Sequence, residues 1–143
     1  MLAPAIGCTS SPMRIEHVAF NVADPVKMAA WYVKHLGWTI RRSESAPPFA
    51  HFLADSAGQM VVEIYHNTTA PVPDYAAMNP LVLHIAVVCG SDLEAVRRRL
   101  LEAGATDAGA VFVTPLGDRV AMLRDPWGLA VQLCDRKKPF YPQ

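Results

Sequence analysis

Cysteine is scarce in this chain, with three in 143 residues. Cys8, Cys89 and Cys134 are odd in number and have no Cys-x-x-Cys spacing, which argues against a disulfide framework or a cysteine zinc site and for a reducing, cytoplasmic setting. An excess of charge of either sign is also lacking. Thirteen Lys plus Arg balance thirteen Asp plus Glu, so no net field gathers nucleic acid or an anionic membrane surface around the protein. No stretch approaches the roughly eighteen apolar residues of a membrane span. There is no Gly-rich phosphate loop and no Ser/His/Asp order, and the basic residues do not interleave with aromatics. Small-molecule chemistry remains. A chain of this length hides roughly 70% of its unfolded surface on folding, enough for a core without metal or disulfide staples.

What is present is a repeat. "RIEHVAFNV" (14 to 22) alternates and is rich in β-branched and aromatic residues, so it predicts a strand. A helix follows, with Asp24 as cap, Pro25 at the first helical position and Gly37 at the left-handed end. "WTIRRS", "FAHFLA" and "MVVEIYH" complete a βαβββ unit. After the proline-marked linker 67–80 the order recurs. "LVLHIAVV" is the strand, and "SDLEAVRRRLLEAG" is the helix, with Ser91 and Glu94 spaced as a capping box and Leu93, Val96 and Leu100 as its apolar stripe. Strands are expected near "AVFVT", "RVAMLR" and "LAVQLC". His17 and His84 are 67 residues apart, as are Gly37 and Gly104. Residues 13–135 therefore read as one domain of two modules, 13–66 and 81–135, each covering the other's half-buried sheet. Residues 1–12 are expected to be a disordered extension and 136–143 a solvated tail that includes the basic residues Arg136 to Lys138.

Strand parity locates a candidate site. In "HVAFNV", His17, Ala19 and Asn21 share one face and Val18, Phe20 and Val22 the other. His84 and Ala86 share a face in the second copy. Glu63 lies opposite Val62 and Ile64, and Gln132 lies opposite Val131 and Leu133. Each strand puts its polar group on its less apolar side, and such groups are costly to bury unpaired. A divalent metal would satisfy imidazole, carboxylate and amide donors together. A lone His or Glu on a strand is more often a structural residue; the signal lies in the fourfold pattern.

His17, Glu63, His84 and Gln132, with "HVAFNVAD", "HIAVV" and the turn and strand "RDPWGLAVQL", resemble the glyoxalase, bleomycin-resistance and extradiol-dioxygenase superfamily, also called vicinal oxygen chelate proteins. The resemblance covers residues 13 to 135. It implies an α+β fold in which two βαβββ modules form a curved, incompletely closed, eight-stranded mixed sheet with the helices outside. It also implies a divalent ion (Zn, Ni, Co, Mn or Fe) held by His17, Glu63, His84 and Gln132, a small-molecule substrate, and a homodimer. Members build the site within one chain or share it between chains by exchanging modules.

The resemblance departs at Gln132, where most active members have Glu. With two neutral histidines, one carboxylate and one amide, a divalent site keeps a formal charge of about +1, making the ion a stronger Lewis acid but a less tightly held one. Gln132 cannot act as a base, so Glu63 is the candidate catalytic residue, with His51 or Tyr65 as possible assistants. The expected function is glyoxalase-like: lyase- or isomerase-type proton transfer on a small carbonyl or 2-oxo compound through a metal-stabilised enolate. A metal-free binding protein of the bleomycin-resistance type is the alternative. A non-haem iron dioxygenase using His17, His84 and Glu63 ranks below both, because the carboxylate of the last strand is missing.

Overall fold

A computed structural model of the chain describes residues 12–140. The expected extension at 1–12 therefore lies outside the described residues except for Pro12, as do the last three residues of the tail. The first module opens with β1 (Val18–Asn21) and continues into α1 (Pro25–Leu36). The helix starts where expected because the Asp24 carboxylate accepts the Lys27 N–H at 3.1 Å, which satisfies one of the free donors of the first turn. It ends at Gly37, whose φ of 71° is open to glycine at no steric cost. Three strands follow, β2 (Thr39–Ser43), β3 (His51–Ala54) and β4 (Val61–Tyr65). They pair in the order β1-β4-β3-β2, with β1 parallel to β4 and the other pairs antiparallel.

The second module runs β5 (Ile85–Val88), α2 (Leu93–Glu102), β6 (Thr106–Asp107), β7 (Phe112–Val113), β8 (Arg119–Arg124) and β9 (Ala130–Asp135). Its order is β5-β9-β8-β6, with β7 also pairing β8 and β5 parallel to β9. The α+β class, the two modules and the absence of barrel closure are as expected, but the expected eight-stranded sheet is two sheets, of four and five strands. Details differ. Where one strand is expected near 110–114, the chain makes two short strands on either side of Gly109, both lying against β8. No ladder joins the sheets of the two modules among the described residues. The cap of α2 is Asp92 rather than Ser91, accepting the Ala95 N–H at 3.1 Å. Glu94 closes no capping box because the Arg119 guanidinium is within reach and takes it as an ion pair.

Each helix covers the apolar face of its own sheet. Met28 and Tyr32 of α1 pack with Phe20, Leu53, Val62 and Ile64, and Leu93 and Leu100 of α2 pack with Ala121, Leu123 and Leu133. Trp31 and Leu36 touch both clusters. Trp31 Nε1 donates to the Ala103 carbonyl at 2.8 Å, so α1 bridges the modules. No helix among the described residues is long and apolar enough to cross a membrane.

The turn Asp125-Pro126-Trp127-Gly128 also joins the modules. Asp125 is 2% exposed. Its Oδ1 accepts the N–H groups of Trp127 (2.9 Å) and Leu129 (3.0 Å), and its Oδ2 accepts the Tyr32 hydroxyl at 2.7 Å. Trp127 is half-buried against the first core cluster. Gly128 has a φ of 89°, and a Cβ there would meet the Ala76 nitrogen at 2.7 Å. Asp55 makes a looser copy of the turn, its Oδ1 accepting the Gln59 N–H at 2.9 Å.

Two outcomes follow for stability. Tyr32→Phe leaves a buried carboxylate oxygen without its donor and is expected to cost about 2 kcal/mol in chemical denaturation; Gly128→Ala combines left-handed strain with a backbone clash and is expected to cost more. Burial is the main effect on Asp125 and pushes its carboxyl above the ordinary range, against the hydrogen bonds from Tyr32 and the turn's backbone N–H groups that pull it down. A raised folded value means stability present in acid and lost as pH climbs from the ordinary carboxyl range through that raised value. Wild type should accordingly weaken relative to Asp125→Asn over that window, which paired melts across pH would reveal.

Candidate metal centre

His17 immediately precedes β1, and Glu63 lies in mid-β4. The parallel register sets Ala19 against Glu63, which brings the histidine two residues upstream onto the same face. Its Nε2 is 3.3 Å from Glu63 Oε2, and its Nδ1 is 2.7 Å from the Glu16 carboxylate. With the Nδ1 proton given to Glu16, Nε2 offers Glu63 either a second proton or a lone pair. A lone pair facing a carboxylate oxygen is repulsive unless a cation stands between them. Two ligands each about 2.1 Å from one tetrahedral ion are about 3.4 Å apart, so the pair fits the spacing of a shared metal.

Across the same face, Phe52 stands opposite Glu63 in the β3–β4 ladder. It meets the His17 ring edge-on, with centroids 5.6 Å apart at 89°. Arg42, paired with Phe52 along β2, holds its guanidinium carbon 5.9 Å from the Phe52 centroid. Arg42 was not among the residues singled out from the sequence. Only the cross-strand register, which no single strand reveals, lines it up with the half-site.

The second module repeats the geometry. Ala86 is set against Gln132 in the parallel β5–β9 register, and His84 lies two residues upstream. His84 precedes the strand instead of lying inside it, because residues 81–84 form a turn. Its Nδ1 is 2.8 Å from the Pro80 carbonyl at the end of the linker, which leaves the Nε2 lone pair free to ligate an ion. Gln132 Oε1 lies 3.4 Å from the Cys134 thiol, which donates to it.

His17 meets Glu63, register sets His84 on the face of Gln132, and the four do not form one cluster. Among the described residues, no three His, Cys, Asp or Glu side chains gather closely enough to hold an ion, so His84 does not join His17 and Glu63 within the chain. Topology is the reason: β1 and β5 are the terminal strands of separate sheets, and each carries its histidine on an edge with no strand beside it.

Of the possible assistants, Tyr65 shares the Glu63 face of β4. His51 is set against Ile64 on the opposite, helix-covered face, is 8% exposed, and has Nδ1 2.7 Å from the Phe49 carbonyl. His35 packs on Trp31 with ring centroids 5.1 Å apart, and His66 has Nδ1 2.9 Å from the Val22 carbonyl. A ring nitrogen bonded to a carbonyl is thus common in this chain; what sets His17 apart is a carboxylate facing its other nitrogen. Asn21 spends its amide on the linker, donating to the Asn67 and Ala70 carbonyls at 3.0 Å each.

The thiols are poor ligands near neutrality. Burial, before any charge effect, pushes Cys89 up to about 11, and burial likewise raises Cys134. Cys89 should therefore react with iodoacetamide at pH 8 at least a hundredfold more slowly than a free thiol. Peptide mapping of the time course checks this.

Two small modules, each a strand, a helix and further strands, with a histidine and an oxygen donor in equivalent register on the uncovered face of each sheet, define a paired-module α+β protein. The chain matches the family model of the Glyoxalase/Bleomycin resistance protein/Dioxygenase superfamily over residues 14–133 and belongs to that superfamily. Similar solved structures include a superfamily member from Sphaerobacter thermophilus, 18% identical with a TM-score of 0.68 over 87% of this chain and 98% of the other. A glyoxalase family protein from Bacillus cereus is 14% identical, with a TM-score of 0.72 over 90% of this chain and 97% of its own. A superfamily domain from Frankia sp. is 19% identical, with a TM-score of 0.64 over 89% and 100% respectively. At these identities the likeness is one of fold. None of the curated proteins compared with the chain matches it.

Proposed function

We propose that the protein is a glyoxalase-like, metal-dependent enzyme performing lyase- or isomerase-type proton transfer on a small carbonyl or 2-oxo compound. We further propose that its site forms between two copies of the chain. The observation that carries this reading is the His17–Glu63 pair at 3.3 Å, with its register equivalent at His84 and Gln132. One ion would be held by His17 and Glu63 of one protomer together with the partner subunit's His84 and the partner subunit's Gln132. A C2 dimer would hold two such sites. Pairing β1 with the partner's β5 would also cover two edges that carry exposed apolar side chains, Val18 at 44% and Val88 at 59% exposed.

When bound, the ion supplies Lewis-acid polarisation of a carbonyl. This chain's own residues do the rest. Glu63 is the one carboxylate in the set and moves the proton between carbons. Glu16 holds His17 in the tautomer that leaves Nε2 free. Phe52 shields one side of the imidazole from water, and Arg42 draws an anionic substrate toward the face. Gln132 adds an oxygen donor without charge.

Metal analysis and a mixing experiment test the reading. Wild type incubated with Zn, Ni, Mn or Fe should retain about one ion per chain, and His17→Ala or His84→Ala alone should retain none. Unfolding and refolding the two variants together should restore about a quarter of wild-type metal, because half the dimers are mixed and each mixed dimer has one intact site. Recovery of nothing would mean a site within one chain. Metal affinity should fall as the pH drops and imidazole takes up its proton. Glu63→Gln should lower turnover by roughly 10²- to 10⁴-fold once a substrate is in hand.

A second reading, a metal-free small-molecule binding protein, has one observation in its favour. Among the described residues the ligand-type side chains do not gather within a single chain. Wild type that takes up no metal would establish it in place of the first.

A further inference from the structure

A cavity of about 1020 Å³ opens between the two modules, lined by residues of β1 and β4 whose parity is opposite to His17 and Glu63 and, at the edge of β5, by His84. Its walls are apolar side chains from both halves, among them Phe20, Trp38, Val62, Ile85 and Val87. Phe20, Val62, Ile85 and Val87 are on the helix-side parities of β1, β4 and β5, and the edge of β5 also contributes His84, Ala86 and Val88 from its other face. The lining also carries cations, Lys34 and Arg99 at the end of α1 and Arg136 just after β9. Arg136 is already paired with Asp118 at 2.9 Å. Lys34 and Arg99 have no carboxylate partner among the described residues; Arg99 spends one N–H on the His35 carbonyl at 2.7 Å. Asp55, also on the lining, is occupied by the Gln59 N–H at 2.9 Å.

An apolar hollow with uncompensated positive charge at one end matches a ligand with an apolar body and an anionic head. The cations already strain against one another: desolvation first, then repulsion from Lys34 and Arg99, holds the His35 imidazole below its ordinary value. An incoming carboxylate would relieve that repulsion. We propose that this cavity is a binding site for a small amphipathic carboxylate, distinct from the His17–Glu63 pair although its wall reaches His84, with Lys34 and Arg99 taking the head and the walls between β1 and β5 taking the tail. It stands whether or not the metal-dependent reading holds.

Decanoate titrated into the full-length chain, with and without chelator, is the direct test, read by Trp38 fluorescence and calorimetry. One saturable equivalent per chain is expected, with decanol binding at least tenfold more weakly. Combined Lys34→Gln and Arg99→Gln, both at exposed positions, should weaken decanoate at least tenfold and leave decanol unchanged. Val87→Trp should abolish both, and a melting curve checks that this variant folds. Equal binding of acid and alcohol, no effect of the charge variants, or no binding at all would overturn the proposal. So would loss of decanoate binding in His17→Ala, which would put the ligand at the half-site. Decanoate that splits a dimer into monomers would mark the hollow as an interface between copies, and that too would overturn it.

Discussion

The buried contact between the Tyr32 hydroxyl and the Asp125 carboxylate, 2.7 Å long, holds the helix of the first module against the last turn of the second. A carboxylate with so little exposure is costly unless its lone pairs are used, and here they are. Tyr32 takes one oxygen, while the N–H groups of Trp127 and Leu129 take the other. The same group therefore joins the modules and starts β9, the strand that carries Gln132. Burial raises both partners, Tyr32 well above its ordinary value, so the phenol stays a donor throughout the neutral range. Next to it, Arg124 donates to the carbonyls of Tyr75, Met78 and Gly128. That draws the linker down over the turn and leaves no room at Gly128 for a side chain.

This join determines how the site residues are distributed. Because α1 lies between the two apolar clusters, the modules pack through their helix sides, and the polar faces of the two sheets are left separate. Each face keeps one histidine with one oxygen donor, in equivalent parallel registers. Each terminal strand keeps an open edge. A duplicated unit divided in this way has two half-sites and two unused edges, and a twofold pairing of chains would complete both at once. The neutral amide at Gln132 then has a chemical meaning, since all base chemistry in the complete set would fall to Glu63.

Local signals in the sequence translated well where the physics is local. Asp24, Pro25 and Gly37 bound α1 as their backbone preferences require. The alternation in "HVAFNV" and "MVVEIY" put Phe20, Val62 and Ile64 in the core and Glu63 on the other face. Signals failed where two local choices compete. Ser91 and Asp92 can both cap a helix, and the position of Arg119, distant in sequence, decided what Glu94 would do. His84 reads as part of a long apolar strand, yet residues 81–84 turn so that its ring meets the Pro80 carbonyl. His51 alternates plausibly with either face until the pairing of β3 with β4 assigns it to the side of Ile64.

Composition, period and repeat spacing by themselves determined the α+β class, the two modules and the residue types from which a site could be made. Those properties depend on contacts within a few residues, or on a duplication that can be counted along the chain. Tertiary structure alone decided which pairs meet. The 3.3 Å approach of His17 to Glu63, the alignment of Phe52 and Arg42 beside them, and the failure of His84 to join that pair depend on strand register and on which faces the modules bury against each other. Neither of those is written in any one segment.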